Sequence, residues 1–529
     1  MSNVARILYA ALVVSLIGLA FPAPRAVAAQ AAPAGGSRKP FVEGQVLVVP
    51  APGVTIDQIN AFYGATTVDV ANGVYLIQLP PDKKTKAVVR EMQTRPTFVA
   101  AAGANVFVSA PASRKKLGRH QPQTFPNDLA ENADTNTRDD YDTQGFIDYL
   151  GLREMPGPRG QGVTVAVIDT GVDLTHPDLV GHFALDSAGL VVGADFVDGG
   201  EPSDDHSATP NQDFAYGHGT FIAGLIAKIA PEARIMPIRA LGPDGVGEAF
   251  DVARAVEFAL DNGAHIISMS FGSPEELEGL DEALHTARDR AVLVAAAGNQ
   301  GTDRAKQYPA EESFVLSVTA VDTTGKKADF ANWGSIVDLA APGVRIVSTY
   351  PDGRYATWSG TSFATPMAAA AAAIVASNQV SAGAFDPDCV GRTLVETGRS
   401  LDGLPQNDRY RGKMGRLIDP TAAKASPGCG GSGGSGAYDR VELRPTDPQN
   451  DSASGEAERE AKEGGQEFEV RIQGLTRNTP YTLRVTTANG SIVTDTISVD
   501  RNGAGRVEYS TDGDDERPLP AGLDPVSTI

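Results

Sequence analysis

Alternation and helical spacing divide the chain into three kinds of segment. Near the N-terminus, GQVLVVP at 44–50 reads as a strand, TIDQINAFYG has helical spacing, TTVDV and GVYLIQLP flank the Asn72-Gly73 turn, and KTKAVVREMQTR precedes an apolar run ending in ANVFVSA. One apolar face at period two marks a half-buried strand and one near 3.6 a helix, so this pattern predicts a β-α-β-β-α-β order, a small α+β domain over 41–112. From residue 146 the pattern changes to short, wholly apolar runs, VTVAVIDTG, ARIMPIRAL, AHIISMSFG and VLVAAAGN, with GEAFDVARAVEFALDNG and ELEGLDEALHTARDR between them. Buried strands alternating with helices predict an α/β domain over 146–427, a mostly parallel sheet flanked by helices whose polar strand ends meet in a crevice. A Gly/Ser linker at 428–437 follows. Beyond it FEVRIQGL, YTLRVTTANG, SIVTDTISVD and GRVEYST alternate again and predict a C-terminal antiparallel β domain over 438–529.

Composition narrows the setting. The first 29 residues hold Arg6, an apolar run and the small-residue pattern Ala26-Val27-Ala28, the parts of a secretory signal, so the expected location is outside the cytoplasm, extracellular or periplasmic. No later stretch reads as apolar enough to cross a bilayer. The polar stretch 113–145, with SRKKLGRH and NDLAENADTNTRDDYD, reads as an exposed connection open to proteolysis. A net charge of −21 argues against a nucleic-acid partner, which requires a basic surface. Two cysteines, Cys389 and Cys429, exclude a zinc cluster of cysteines and leave a single disulfide open.

The candidate chemistry starts at GTSFATP, 360–366, which runs into the alanine-rich MAAAAAAIVASN. Thr361 or Ser362 could simply cap that helix. Alternatively Ser362 is a nucleophile at a helix N-terminus, where peptide dipoles favour developing negative charge. Three further motifs supply partners. Asp169 ends the strand of AVIDTGVD and could hold the Nδ1–H of an imidazole. His218, between Gly217 and Gly219 in YGHGTFIAG, could take the serine proton and return it to a leaving amine. Asn299, in the turn AAAGNQG, could donate its amide to a tetrahedral oxyanion.

Together VAVIDTGVDLTHPDL, YGHGTFIAG, ISMSFG, AAAGNQG and GTSFATPMAAA resemble the successive signatures of the subtilisin-like serine proteases. The resemblance covers about residues 146–425 and implies Asp169 as orienting acid, His218 as base, Asn299 at the oxyanion and Ser362 as nucleophile of a secreted serine endopeptidase. It implies polypeptide substrates, the N-terminal unit as an inhibitory propeptide, and a self-processed chain beginning between Ser113 and Asp142. The implied walls of the pocket for the residue before the scissile bond are Ser270-Phe271-Gly272 and Ala295-Ala296-Ala297, with Gln307 near the floor. Phe221, Phe363 and Met367 stand where the family commonly has histidine, methionine and histidine. The chemistry implies no cofactor, while an acidic loop with Asp195, Asp198, Asp204 and Asp205 offers oxygens to a structural calcium. A catalytically silent scaffold, held to an envelope or carbohydrate through the C-terminal domain, is the alternative. A dinucleotide-binding fold is set aside because Asp169-Thr170-Gly171 forms no GxGxxG loop, and metal hydrolysis by His176 and His206 because no HExxH occurs.

Overall fold

The computed structural model describes residues 39–110, 135–199, 215–312 and 314–426, and strands between 439 and 518. The expected signal segment, Asp204, Asp205, His206, Cys429 and the expected Gly/Ser linker lie outside the described residues.

The N-terminal unit follows its predicted order: β1 (Phe41–Pro50), α1 (Ile56–Tyr63), β2 (Thr66–Ala71), β3 (Val74–Gln78), α2 (Thr85–Gln93) and β4 (Val99–Ser109). The strands pair antiparallel in the order β2-β3-β1-β4. A reciprocal Thr55–Gln58 capping box starts α1, and Gly64 in the left-handed region stops it. Val46, Val48, Ile59, Tyr63, Ile77 and Met92 form a core of its own.

Part of the polar stretch proves to be structured. A Thr137–Asp140 capping box opens α3 (Arg138–Thr143), followed by α4 (Gly145–Tyr149). Tyr141 is buried, and its Oη donates to the Gly224 carbonyl at 2.6 Å. The charged face hides this single aromatic anchor from a reading by composition.

The main domain continues with β5 (Thr164–Asp169), β6 (Ala194–Asp195), α5 (His218–Ile229), β7 (Arg234–Arg239), β8 (Val246–Glu248), α6 (Ala249–Asp261), β9 (Ile266–Met269), α7 (Glu278–Arg288) and β10 (Val292–Ala296). Then come β11 (Leu316–Val321), β12 (Leu339–Pro342), the hairpin β13 (Ile346–Tyr350) and β14 (Arg354–Trp358), α8 (Thr361–Ala382), α9 (Pro387–Thr397), β15 (Arg416–Leu417) and α10 (Pro420–Ala425). Eight strands lie in the order β15-β12-β11-β10-β9-β5-β7-β6, paired in parallel. Along β5 the pleat sends Val165 and Val167 into the layer holding α5 and α8, and Ala166 and Ile168 into the layer holding α6 and α7. Strand order reverses between β5 and β9, and in such sheets the crevice forms at the carboxyl ends of the strands flanking that switch.

Helix α8 corrects one expectation. Thr361–Ala382 is long and apolar enough by composition to cross a membrane, yet most of it is buried in the domain. It lacks an amphipathic stripe because sheet and helices surround it, which is how a core helix reads. Cys389 is disulfide-bonded, and the sequence holds only one other cysteine, Cys429. In the C-terminal region, strands Asp439–Leu443, Ser454–Lys462, Gly465–Gln473 and Gly505–Ser510 pair antiparallel in succession, as do Pro480–Thr486 and Ile492–Ser498.

Candidate active site

Asp169, His218, Asn299 and Ser362 converge at the strand ends beside the switch point. Asp169 is the last residue of β5 and His218 the first of α5. The Asp169 Oδ1 accepts the His218 Nδ1–H at 2.8 Å and the Thr170 N–H at 2.8 Å. A carboxylate at Nδ1 selects the tautomer with its proton there, leaving Nε2 as the basic nitrogen. The two glycines beside His218 allow this approach. A Cβ on Gly219 would lie 2.0 Å from the Gly171 carbonyl oxygen, and one on Gly217, whose φ is +77°, would lie 2.6 Å from the Tyr350 ring.

His218 is fully buried despite its glycine neighbours, with Trp358 edge-on at 5.6 Å and Phe363 tilted at 5.4 Å between ring centroids. Phe221 packs on both rings, so the residues that depart from the family pattern form an aromatic wall behind the base.

The cap reading of Thr361 and Ser362 also fails. Gly360 is the N-cap of α8, without a side-chain cap bond, and Thr361 and Ser362 are the first two helical residues. Thr361 instead clamps the asparagine turn: its N–H and Oγ1 reach the Asn299 Oδ1 at 3.0 and 2.9 Å, and its Oγ1 accepts the Gly298 N–H at 3.2 Å. With Oδ1 so engaged, the Nδ2 of half-buried Asn299 lies toward Gly360, at the mouth of α8.

One sequence-derived contact is not formed. Ser362 Oγ donates to the Ser270 carbonyl at 3.3 Å, and His218 Nε2 has no hydrogen-bond partner among the described residues. Such bonds are commonly long or misaligned without a substrate and tighten in the reacting complex. Ser270 Oγ in turn donates to the Ser362 carbonyl at 2.9 Å, fixing the start of α8 to the end of β9.

Asn332 is a residue that sequence reasoning missed. Its Nδ2 donates to the Ala297 carbonyl and the Gln300 Oε1, its Oδ1 accepts the Gln300 N–H, and its backbone N–H donates to the Gly298 carbonyl. Four bonds on three residues brace the turn carrying Asn299. ANWG carries no spacing that would have revealed this.

The cleft already holds a strand. β4 extends the N-terminal sheet by pairing antiparallel with β8 through Phe107–Glu248, Val108–Gly247 and Ser109–Val246. Ser109 and Gly272 exchange two backbone hydrogen bonds of 2.9 Å, and the Ala110 N–H donates to the Gly245 carbonyl at 2.9 Å. Asn105, fully buried, secures the junction by accepting the Phe250 N–H at 3.1 Å and donating to Glu248 at 2.8 Å. Phe271, Ala295, Ala296 and Ala297, expected as pocket walls, are fully buried, and Gln307 is 5% exposed.

Of the acidic loop, Asp195 and Asp198 both pair with Arg239, at 2.8 and 2.6 Å. Among the described residues no group of three or more His, Cys, Asp or Glu is placed to hold a metal ion. His176 is buried, bonded through Nε2 to the Arg354 carbonyl.

The geometry therefore gives a parallel sheet flanked by helices that carries a buried Asp169–His218 pair and, at the start of α8, Ser362. Residues 160–413 match the model of the subtilase family, and residues 27–105 that of the fervidolysin N-terminal prodomain. Subtilisin BL of Lederbergia lenta is 41% identical over 229 residues, 41% of this chain and 78% of that protein. Thermitase of Thermoactinomyces vulgaris is 40% identical over 235 residues, 42% of this chain and 78% of that protein. The chain belongs to the subtilase family, and its buried His218–Asp169 pair supports a working serine endopeptidase over a silent scaffold.

Proposed function

We propose that the chain is an exported endopeptidase that hydrolyses peptide bonds through an acyl-enzyme, with Ser362 as nucleophile, His218 as general base and acid, Asp169 as the group orienting His218, and Asn299 as an oxyanion donor. The observation that carries this reading is the 2.8 Å bond between Asp169 and His218 Nδ1, which leaves Nε2 without a hydrogen-bond partner among the described residues.

Attack requires Ser362 Oγ to turn from the Ser270 carbonyl toward Nε2. As the oxygen adds to the scissile carbonyl, Nε2 takes its proton, and the carboxylate of Asp169 stabilises the imidazolium. The carbonyl oxygen becomes an oxyanion facing the Asn299 Nδ2 and the first amides of α8, an arrangement in which one side-chain donor contributes about 3–4 kcal/mol. Collapse breaks the C–N bond, and the amine leaves with the proton from Nε2. Water, deprotonated by the same nitrogen, then adds to the acyl carbon and releases Ser362.

The N-terminal unit would act as prodomain and intramolecular inhibitor. Support comes from β4, which follows the path expected of a substrate strand, and from the prodomain match. Cleavage after it would fall before Arg138, because α3 is docked on the main domain. Export is supported by the signal-like N-terminus and by likeness to subtilisins. Attachment through residues 438–529 to an envelope or carbohydrate would be a separate role, suggested by composition.

The test is expression of the parent chain beside Ser362→Ala. The parent should yield a shortened chain that cleaves a broad peptide library. The variant should accumulate uncut and inactive. Equal trimming and equal peptide cleavage by both would refute the assignment.

A further inference from the structure

The peptide track in the cleft and one buried amide point to a substrate preference. We infer that Gln307 closes the pocket for the residue before the scissile bond, restricting it to small residues and to residues with a hydroxyl or carboxamide, and excluding aromatic ones. The inference rests on the endopeptidase reading and specifies its substrate class.

The position of that pocket follows from two contacts. The Ser109–Gly272 bonds show how a peptide lies along the 270–272 segment, and the Ser362 Oγ to Ser270 contact of 3.3 Å puts the nucleophile on the same segment. A residue whose carbonyl is attacked by Ser362 must therefore sit against Ser270-Phe271-Gly272, opposite Ala295-Ala296-Ala297.

Gln307 occupies this space. A Cβ added to Gly272 would lie 2.0 Å from Gln307 Nε2, and one added to Gly298 would lie 3.1 Å from Gln307 Oε1. The carboxamide thus spans from one wall to the other. Gly272 is what admits it, since a Cβ there would collide with the amide. An aromatic ring would have to displace Gln307.

The carboxamide also has hydrogen-bonding capacity to spare. Gln307 is 5% exposed, and its Nε2 and Oε1 offer two donors and an acceptor to an incoming group. Serine or asparagine can meet them, alanine fits without meeting them, and phenylalanine neither fits nor bonds.

The experiment measures kcat/KM of the processed enzyme on peptides differing only at this position, Ala, Ser, Asn or Phe, for the parent, Gln307→Gly and Gln307→Leu. The parent should cleave Ser and Asn peptides above Ala, and Ala at least about tenfold above Phe, the scale on which a pocket discriminates by size. Gln307→Gly should raise the Phe peptide about tenfold or more. Gln307→Leu, similar in volume but apolar, should keep Phe excluded while abolishing the advantage of Ser and Asn over Ala. Parental preference for Phe, or an unchanged Phe-to-Ala ratio in Gln307→Gly, would overturn the inference with the protease reading intact. Absence of cleavage of all four peptides by the folded parent would overturn the endopeptidase reading, and this inference with it.

Discussion

Asn105 gives a quantitative handle on latency. It sits on β4 of the N-terminal unit, fully buried, and its amide serves the main domain twice. The Phe250 N–H it accepts belongs to the first turn of α6, whose own N-cap, Glu248, makes no side-chain cap bond. Replacing Asn105 by leucine keeps the volume and removes both bonds, together with one to Gln45 inside the N-terminal unit. Losing a cap costs about 1 kcal/mol, and losing a hydrogen bond to a carboxylate about 1.5–3 kcal/mol. The sum, about 2.5–4 kcal/mol, corresponds to roughly 70- to 1000-fold faster release if it falls on dissociation. The assay is the lag before peptide cleavage begins after the purified full chain is diluted into substrate, parent against Asn105→Leu. The lag should shorten by more than tenfold. A double-mutant cycle with Glu248→Gln isolates the pair, and the two substitutions should be strongly non-additive. A lag within twofold of the parent, in a variant with normal secondary structure, would refute the view that this residue holds the unit in the cleft.

Two other substitutions follow from the buried polar and aromatic groups. Burial pushes the Lys327 ammonium down to about 8, against which its bonds to the Ala328 and Ala331 carbonyls work. Between that value and its ordinary one the unfolded chain binds the extra proton, so stability should rise with pH from about 8 to about 10.5, by at most about 3 kcal/mol. Denaturant unfolding in a Ser362→Ala background, which prevents self-digestion, should show this rise, and Lys327→Met should flatten it. Phe363 removes the thioether liability beside the nucleophile, and Met269 and Met367 are wholly buried. Activity should therefore survive a peroxide exposure that inactivates Phe363→Met, and equal loss in both would contradict this.

What the sequence made legible follows the range of the interactions involved. The N-terminal order could be read because its half-buried strands alternate and its turns carry Asn72-Gly73 and Gly64, both local signals. The main-domain strands could be read because burial on both faces makes them continuously apolar, and Asp169, His218, Asn299 and Ser362 because each closes or opens such an element. Contacts between distant segments left no mark in composition. The β4–β8 pairing joins residues more than a hundred positions apart. The Asn332 brace and the Thr361 clamp depend on where a turn and a helix meet. Covering of His218 by Trp358 and Phe363, with Phe221 packed behind them, required the fold, since the three rings come from three elements. Gln307 could be suspected from its place before Tyr308-Pro309, but the approach of its carboxamide to Gly272 and Gly298 could not.

The most direct test of the central claim is covalent labelling of the processed enzyme with a fluorophosphonate probe, read by intact mass and by mapping of the modified peptide. One label per chain on Ser362 is expected, lost in Ser362→Ala and greatly slowed in His218→Ala, because the hydroxyl reacts only when Nε2 accepts its proton. Labelling unchanged in both variants, or located on another residue, would contradict the account.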